Sequence, residues 1–221
     1  MDLHEALYTT RAMRRVRSDP IPADAQARIL DAAVRAPSGG NMQNWRFVLV
    51  DDPAVKAAIG PLYRECMGLL WTTIYAERIA AANADPDAAA SKDTMRMVAS
   101  AQHLADHFES VPLYLFGFVQ HDHSGGSIFP AVWSAQLAAR AEGIGSALTS
   151  VLGVFKGPET LSALGVPAEE GWIMACCVSF GYPTGRWGVA GRRPVEEVSY
   201  RNQWGTPIGV VIDGPLWPPG G

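Results

Sequence analysis

The sequence predicts an α+β fold, a three-layer arrangement of helices around a mixed sheet. Three observations lead there. Segments with apolar residues at helical spacing alternate with short, almost uniformly apolar runs. Two of those runs, "PLYLFGFVQ" from Pro112 and "WIMACCVSFG" from Trp172, lack polar alternation, as strands covered on both faces do. No regular strand–helix–strand unit recurs, and no Gly-x-Gly-x-x-Gly follows a strand, so a dinucleotide fold of the doubly wound type is not indicated.

Taken in order, residues 2–16, "DLHEALYTTRAMRRV", read as a first helix with Leu3, Leu7, Thr10 and Arg14 facing inward, stopped by Pro20 and Pro22. Residues 23–36 read as a second, with Ile29, Leu30, Ala33 and Val34 on its apolar side. The turn "PSGGNMQNWRF" leads into a strand, "RFVLVDD", closed by an Asp pair and Pro53. Residues 54–83 are helical, with a break expected at Gly60-Pro61. Residues 84–93, polar and alanine-rich, read as a surface insertion and a mobile lid. Another helix covers 94–111, and a loop, "HDHSGGS", follows the first central strand. Residues 130–153 read as a long helix rich in small residues, with Val132, Ala135, Leu137, Ala138 and Ala141 on its apolar side and a sharp turn at Gly143 and Gly145. A short helix over 158–167 precedes the second central strand. The rest is irregular, with a strand-like centre in "GTPIGVVIDGPLWPPGG".

Composition narrows the function. The 221 residues are 48% hydrophobic, enough for one domain with a real core. Charged residues make up only 18%, below the usual share of about 25%, which suggests surface covered by a partner subunit or a cofactor. A net charge of -4 disfavours a nucleic-acid binder, and no apolar run is long enough to span a bilayer. Cys66, Cys176 and Cys177 have neither zinc nor disulfide spacing and read as core. They fit a reducing cytoplasm, as does an N-terminus without an apolar signal core. His103 and His107 are four apart, but no Glu adjoins the first, and His121 and His123 lie in a loop, so no metal is expected. There is no Gly-x-Ser-x-Gly and no acid–base constellation. Redox chemistry carried by a cofactor needs neither.

Two constellations remain. Arg11 and Arg14, three apart, share a face of the expected first helix, with Arg15 on its flank. They form either a solvated helix face or, joined by Arg192-Arg193, a phosphate site. The turn at Pro37–Phe47 gathers three side-chain amides before a buried strand. Amides donate and accept hydrogen bonds, which suits a planar, polar, uncharged ring better than a metal.

In sum these motifs resemble the nitroreductase family of FMN-dependent oxidoreductases, over nearly the whole chain from Leu3 to Trp204. "RAMRRV" is similar to its opening arginine motif, with Ala12 in place of the usual serine and Val16 in place of phenylalanine. "PSGGNMQNWRF" is similar to its Pro-Ser-x-x-Asn-x-Gln-Pro-Trp-x-Phe turn at Pro37, Ser38, Asn41, Gln43, Trp45 and Phe47, with Asn44 for the proline. The alanine-rich helix with "GIGS" and the closing "GYPTG…RRPVEEV…WG" match two further motifs.

The resemblance implies a three-layer fold with a mixed or antiparallel central sheet. It also implies a homodimer with FMN at the interface and a C-terminal tail exchanged between subunits. Arg11 and Arg14 would meet the phosphate, with Ala12 and Met13 between them and Arg192 or Arg193 joining. Pro37, Ser38, Gly39, Asn41 and Gln43 would frame the flavin. Gly143, Ile144 and Gly145 would pass its other side, with Ser134 nearby. Flavin N5, not a side chain, would carry hydride from NAD(P)H to a nitroaromatic, quinone or similar acceptor. Trp71, Tyr75, Met97 and Trp133 would wall the substrate pocket, with 71–100 inserted over it. Relatives of this fold that cleave flavin or remove halide from iodinated tyrosines, or that sequester FMN under a lid, are the alternatives.

Overall fold

The computed structural model describes residues 1–212 and 214–217. Helix α1, Leu3–Thr9, is capped by Asp2, whose carboxylate accepts from the Glu5 amide at 2.7 Å. It ends seven residues sooner than expected. The Thr9 and Thr10 hydroxyls donate back to the Glu5 and Ala6 carbonyls, each at 2.6 Å, and the following backbone finds partners on the sheet instead. The inward face is also corrected: Ala6 and Thr9 are buried, whereas Leu3 and Leu7 are exposed. Helix α2, Ala23–Val34, buries Ile29 and Ala33 as its spacing predicts, while Val34 is exposed.

Strand β1, Trp45–Val50, leads to α3, Pro53–Thr72, whose first turn is capped by Asp52. No break occurs at Gly60-Pro61. The Pro61 ring lies on the exposed side, while Ile59, Tyr63, Cys66 and Met67 hold the opposite face in the core. That burial outweighs the roughly 3 kcal/mol an interior proline costs. Helices α4, Ala76–Ala84, and α5, Ala89–Asp106, lie largely where helices were expected, but α5 begins five residues early, so the loop expected over 84–93 shrinks to residues 85–88.

Strand β2, Leu113–Val119, is buried along its whole length. Helix α6, Ile128–Ala141, stops at a glycine turn, and β3, Gly145–Thr149, begins where the sequence reading continued a helix. A strand of five residues, four of them small, carries little periodic signal. Helices α7, Val151–Phe155, and α8, Gly157–Ala163, precede β4, Ile173–Gly181, and a last short helix α9 covers Val195–Val198. The strand expected in the tail does not form among its described residues, which carry only a bridge from Tyr200 to Pro207. Part of that stretch lies outside the described residues.

The sheet runs β1-β2-β4-β3 and every pairing is antiparallel. One face packs on α2 and α6 through Ile29, Leu115, Ala135 and Val178. The other packs on α3 and α5 through Tyr63, Leu104, Phe116 and Cys177. This is the three-layer α+β architecture. The three cysteines are free and buried, and burial pushes the Cys66 thiol up to about 11 and Cys176 to about 12. They are structural, not nucleophilic. Among the described residues no helix is long and apolar enough to cross a membrane.

Because α3 runs through Pro61, Pro61→Ala restores a helix donor without disturbing the core. It is expected to raise the unfolding free energy by about 1–3 kcal/mol, read as a higher urea midpoint at unchanged slope.

Candidate active site

Residues 12–16 are extended and lie across the ends of β3 and β4. Met13 N donates to Ser146 O at 2.8 Å, Arg17 N to Tyr182 O at 2.8 Å, and Thr184 N to Arg15 O at 3.0 Å. Two glycines make room. Gly145 and Gly181 are register partners; a Cβ on Gly145 would sit 2.9 Å from Met13 Cβ, and one on Gly181 2.7 Å from Val16 Cβ. The segment rests on this flat seat. Gly143, at φ +73°, closes α6, and Ile144 is buried. The arginine motif and the Gly143–Gly145 turn therefore do meet.

Arg11 and Arg14 do not share a helix face, because the backbone there is not helical. Arg11 is exposed and its Nη2 donates to the Arg186 carbonyl at 2.9 Å. Arg14 is half-buried, with Nη1 3.4 Å from Ser100 Oγ on α5. Burial lowers its pKa, partly offset by Tyr63 nearby. Tyr63, itself pushed up to about 12 by burial, faces Thr149 at the end of β3. Among the described residues neither Arg11 nor Arg14 has a carboxylate partner. A half-buried guanidinium with one weak contact is suited to an anion or acceptor from outside the chain.

The amide turn is strained. Gly40, Asn41 and Gln43 take φ of +56°, +54° and +52°, and left-handed backbone at two non-glycine residues costs of order 1 kcal/mol each. Ser38 Oγ accepts from Gln43 N at 3.1 Å, and Gln43 Nε2 donates to Asn41 Oδ1 at 3.0 Å. Pro37, Gly39, Asn41 and Gln43 are exposed and face away from their own chain's core.

These two groups sit at opposite ends of the molecule. Gln120 N donates to Asn44 O at 3.1 Å, which ties the turn to the Val119 end of β2. Gly39 N donates to Ser127 Oγ at 3.3 Å, which ties it to the start of α6. The arginine segment lies at the Leu113 end of β2 and beside the last turn of α6. Six strand steps, or the length of α6, separate them by about 20 Å. A single chain does not bring Asn41 and Arg11 onto one ligand.

The expected pocket wall is also divided. Trp133 is exposed on α6 and lines a cavity of about 740 Å³ with Leu7, Tyr8, Thr10, Arg192 and Arg193. Among the described residues Arg192 Nη1 donates only to its neighbour's carbonyl, Gly191 O, at 2.8 Å. Trp71 and Tyr75 stand elsewhere, edge to face at 5.7 Å where α3 meets α4, and Trp71 Nε1 donates to Gln102 on α5 at 2.8 Å. Met97 is half-buried on α5. Ser134 Oγ donates to Pro130 O at 3.0 Å within α6. Tyr63, Ser100 and Thr149 beside Arg14 were not legible in advance. Tyr63 has core spacing, and the other two are single hydroxyls without a motif. His103 and His107 stack at 4.1 Å, and among the described residues no cluster of three metal-ligating side chains occurs.

Residues 7–182 match the Nitroreductase family profile. The chain belongs to that family. It is 32% identical over 195 residues to the 5,6-dimethylbenzimidazole synthase of Rhodospirillum rubrum, covering 81% of each protein. The structure superposes on iodotyrosine deiodinase bound to FMN and 3-iodo-L-tyrosine with a TM-score of 0.71 at 20% identity, covering 91% of this chain and 99% of that one. It superposes on a Bacteroides fragilis nitroreductase with bound FMN with a TM-score of 0.63 at 21% identity, covering 91% and 100%. The fold is thus that of the family's FMN-binding oxidoreductases. The residues present fit such a cofactor: uncompensated arginines for a phosphate, a glycine seat that admits close approach, and an outward pair of amides for a polar ring edge.

Gly145→Ala is expected to lower stability by about 1–3 kcal/mol. It should also speed hydrogen exchange at the Met13 amide more than at amides of β2, since the new methyl lifts residues 12–16 off their seat.

Proposed function

We propose that the chain is an FMN-dependent oxidoreductase whose cofactor is shared between two copies of it. The observation that carries this is the separation of about 20 Å between the arginine segment and the amide turn. Along α6, which connects them, Phe129 and Trp133 are exposed. Two copies packed head to tail along α6 bring the turn of one beside the arginines of the other. Arg11 and Arg14, with Arg192 or Arg193, then hold the phosphate. Ser38, Asn41 and Gln43 of the second copy hydrogen-bond the ring edge. Gly143–Gly145 lets the backbone approach, and Ala12 adds no donor. Bound FMN supplies two-electron chemistry at N5. The chain's part is to orient both reactants and exclude water. The tail, with Trp204, Val211 and Leu216 exposed, covers the second copy. Three reduced, buried thiols fit a cytoplasmic setting.

For the reaction, the relatives favour the flavin-cleaving and dehalogenating branch over a general nitro- or quinone reductase. A dimethylbenzimidazole synthase is similar over four-fifths of the chain. The superposition on a deiodinase is closer than that on the FMN-bound nitroreductase. The helical pair α4–α5, reaching Arg14 through Ser100, supports a small substrate enclosed against the ring. Hydride transfer from NAD(P)H to nitroaromatics or quinones is the second reading, supported by the fold it shares with nitroreductases.

The FMN-loaded protein, reduced by dithionite, is expected either to consume 3-iodotyrosine without oxygen or to yield 5,6-dimethylbenzimidazole with it, and to be bleached only slowly by NADH or NADPH. Bleaching within seconds by either nicotinamide, with turnover of a nitroaromatic and of neither other substrate, would establish the second reading instead. Separately, truncation after Trp204 is expected to shift the protein from dimer to monomer in sedimentation; a stable truncated dimer would remove the tail from the proposal.

A further inference from the structure

We infer that Arg140 is a positioning residue for the phosphate site, a role that rests on the FMN reading above. It lies in the last turn of α6, 5% exposed, within the alanine-rich helix but at a position to which the motifs assign no contact with the cofactor. Its Nε donates to Thr9 Oγ1 at 2.9 Å and its Nη2 to Glu5 Oε1 at 3.1 Å, both on α1. The guanidinium lies over Trp187, with Cζ 3.9 Å from the ring centroid.

Those contacts flank Arg11 on both sides. Thr9 stands two residues before it. Trp187 directly follows Arg186, whose carbonyl accepts from Arg11 Nη2 at 2.9 Å. One buried side chain thus ties the end of α1 to the segment that supplies Arg11's acceptor, and does so from the rigid helix between the two half-sites. An ion pair with Glu5 alone would need only a charge. The combination seen here needs a planar fork with an exposed π-face, which arginine has and lysine lacks. Without it, the end of α1 and the Arg186–Trp187 segment lose their common anchor, and Arg11 loses the geometry in which it can meet a phosphate. The amide turn stands about 20 Å away, and the Gly143–Gly145 turn is held by backbone bonds, so the ring-binding half is not touched.

The role predicts an effect on the phosphate rather than on the ring. Apo-protein is titrated with FMN and with riboflavin, which lacks the phosphate, by quenching of flavin fluorescence. The unaltered protein is expected to prefer FMN. Arg140→Met is expected to weaken FMN by about ten-fold or more while riboflavin moves by less than about two-fold, and Arg140→Lys to restore only part of the loss. Trp187→Leu, at a half-buried ring, is expected to act in the same direction and decides the matter if Arg140→Met does not fold. Equal losses for both flavins, no loss for either, or an unaltered protein without preference for FMN would each overturn the positioning role. An unaltered protein that binds neither flavin would overturn the cofactor reading itself.

Discussion

Backbone pairing of residues 12–17 against the ends of β3 and β4 is the constraint on which the candidate site depends. Three hydrogen bonds hold the segment, to Ser146, Tyr182 and from Thr184. Each contributes only about 1 kcal/mol net. What makes them possible is that two facing glycines, Gly145 and Gly181, remove the side chains that would otherwise stand between the segment and the sheet. The arginines are thus carried by an extended strip whose position is set by the sheet, not by the helix that precedes it. That places Arg14 against α5 and Arg11 against the Arg186 carbonyl.

The same sheet sets the distance between the half-sites. Its central strands are covered on both faces, so a ligand can approach only at their ends or along α6. The arginines lie at one end and the amides at the other. Each half is costly in isolation: a half-buried guanidinium without a counter-ion among the described residues on one side, left-handed backbone at Asn41 and Gln43 on the other. Both costs are understandable if each half is completed from outside its own chain. The low share of charged residues and the exposed Leu3, Leu7, Phe129 and Trp133 belong to the same picture.

Much of this was legible in the sequence, and the misses have physical causes. The central strands announced themselves because full burial on both faces leaves no polar positions. The extended arginine segment read as helix because local spacing cannot register that Thr9 and Thr10 bond back to α1 or that a sheet edge lies waiting. Pro61 read as a break because propensity is local and the burial of Ile59, Tyr63 and Met67 is not. Strand β3 was hidden in small residues. The arginine and amide motifs were visible as residue types, but that they lie at opposite ends of one chain is a property of strand order alone. Arg140 lay within the alanine-rich helix, but nothing there marked it out, because its partners Glu5, Thr9 and Trp187 are far apart in the sequence.

Family membership establishes an FMN-binding oxidoreductase fold more firmly than a reaction. Beside Arg14, α4 and α5 pack together, and the loop between them is shorter than the residues 84–93 the composition suggested. Arg78 Nε donates to Thr94 Oγ1 at 3.0 Å to join α4 to α5, and Trp71 joins the end of α3 to Gln102. In the proposed reading such a pair would stand over the ring as one unit, which suits a small enclosed substrate better than the open stacking surface of a general reductase. Since α5 also touches Arg14 through Ser100, the phosphate side and the cover over the ring would share one helix in that reading.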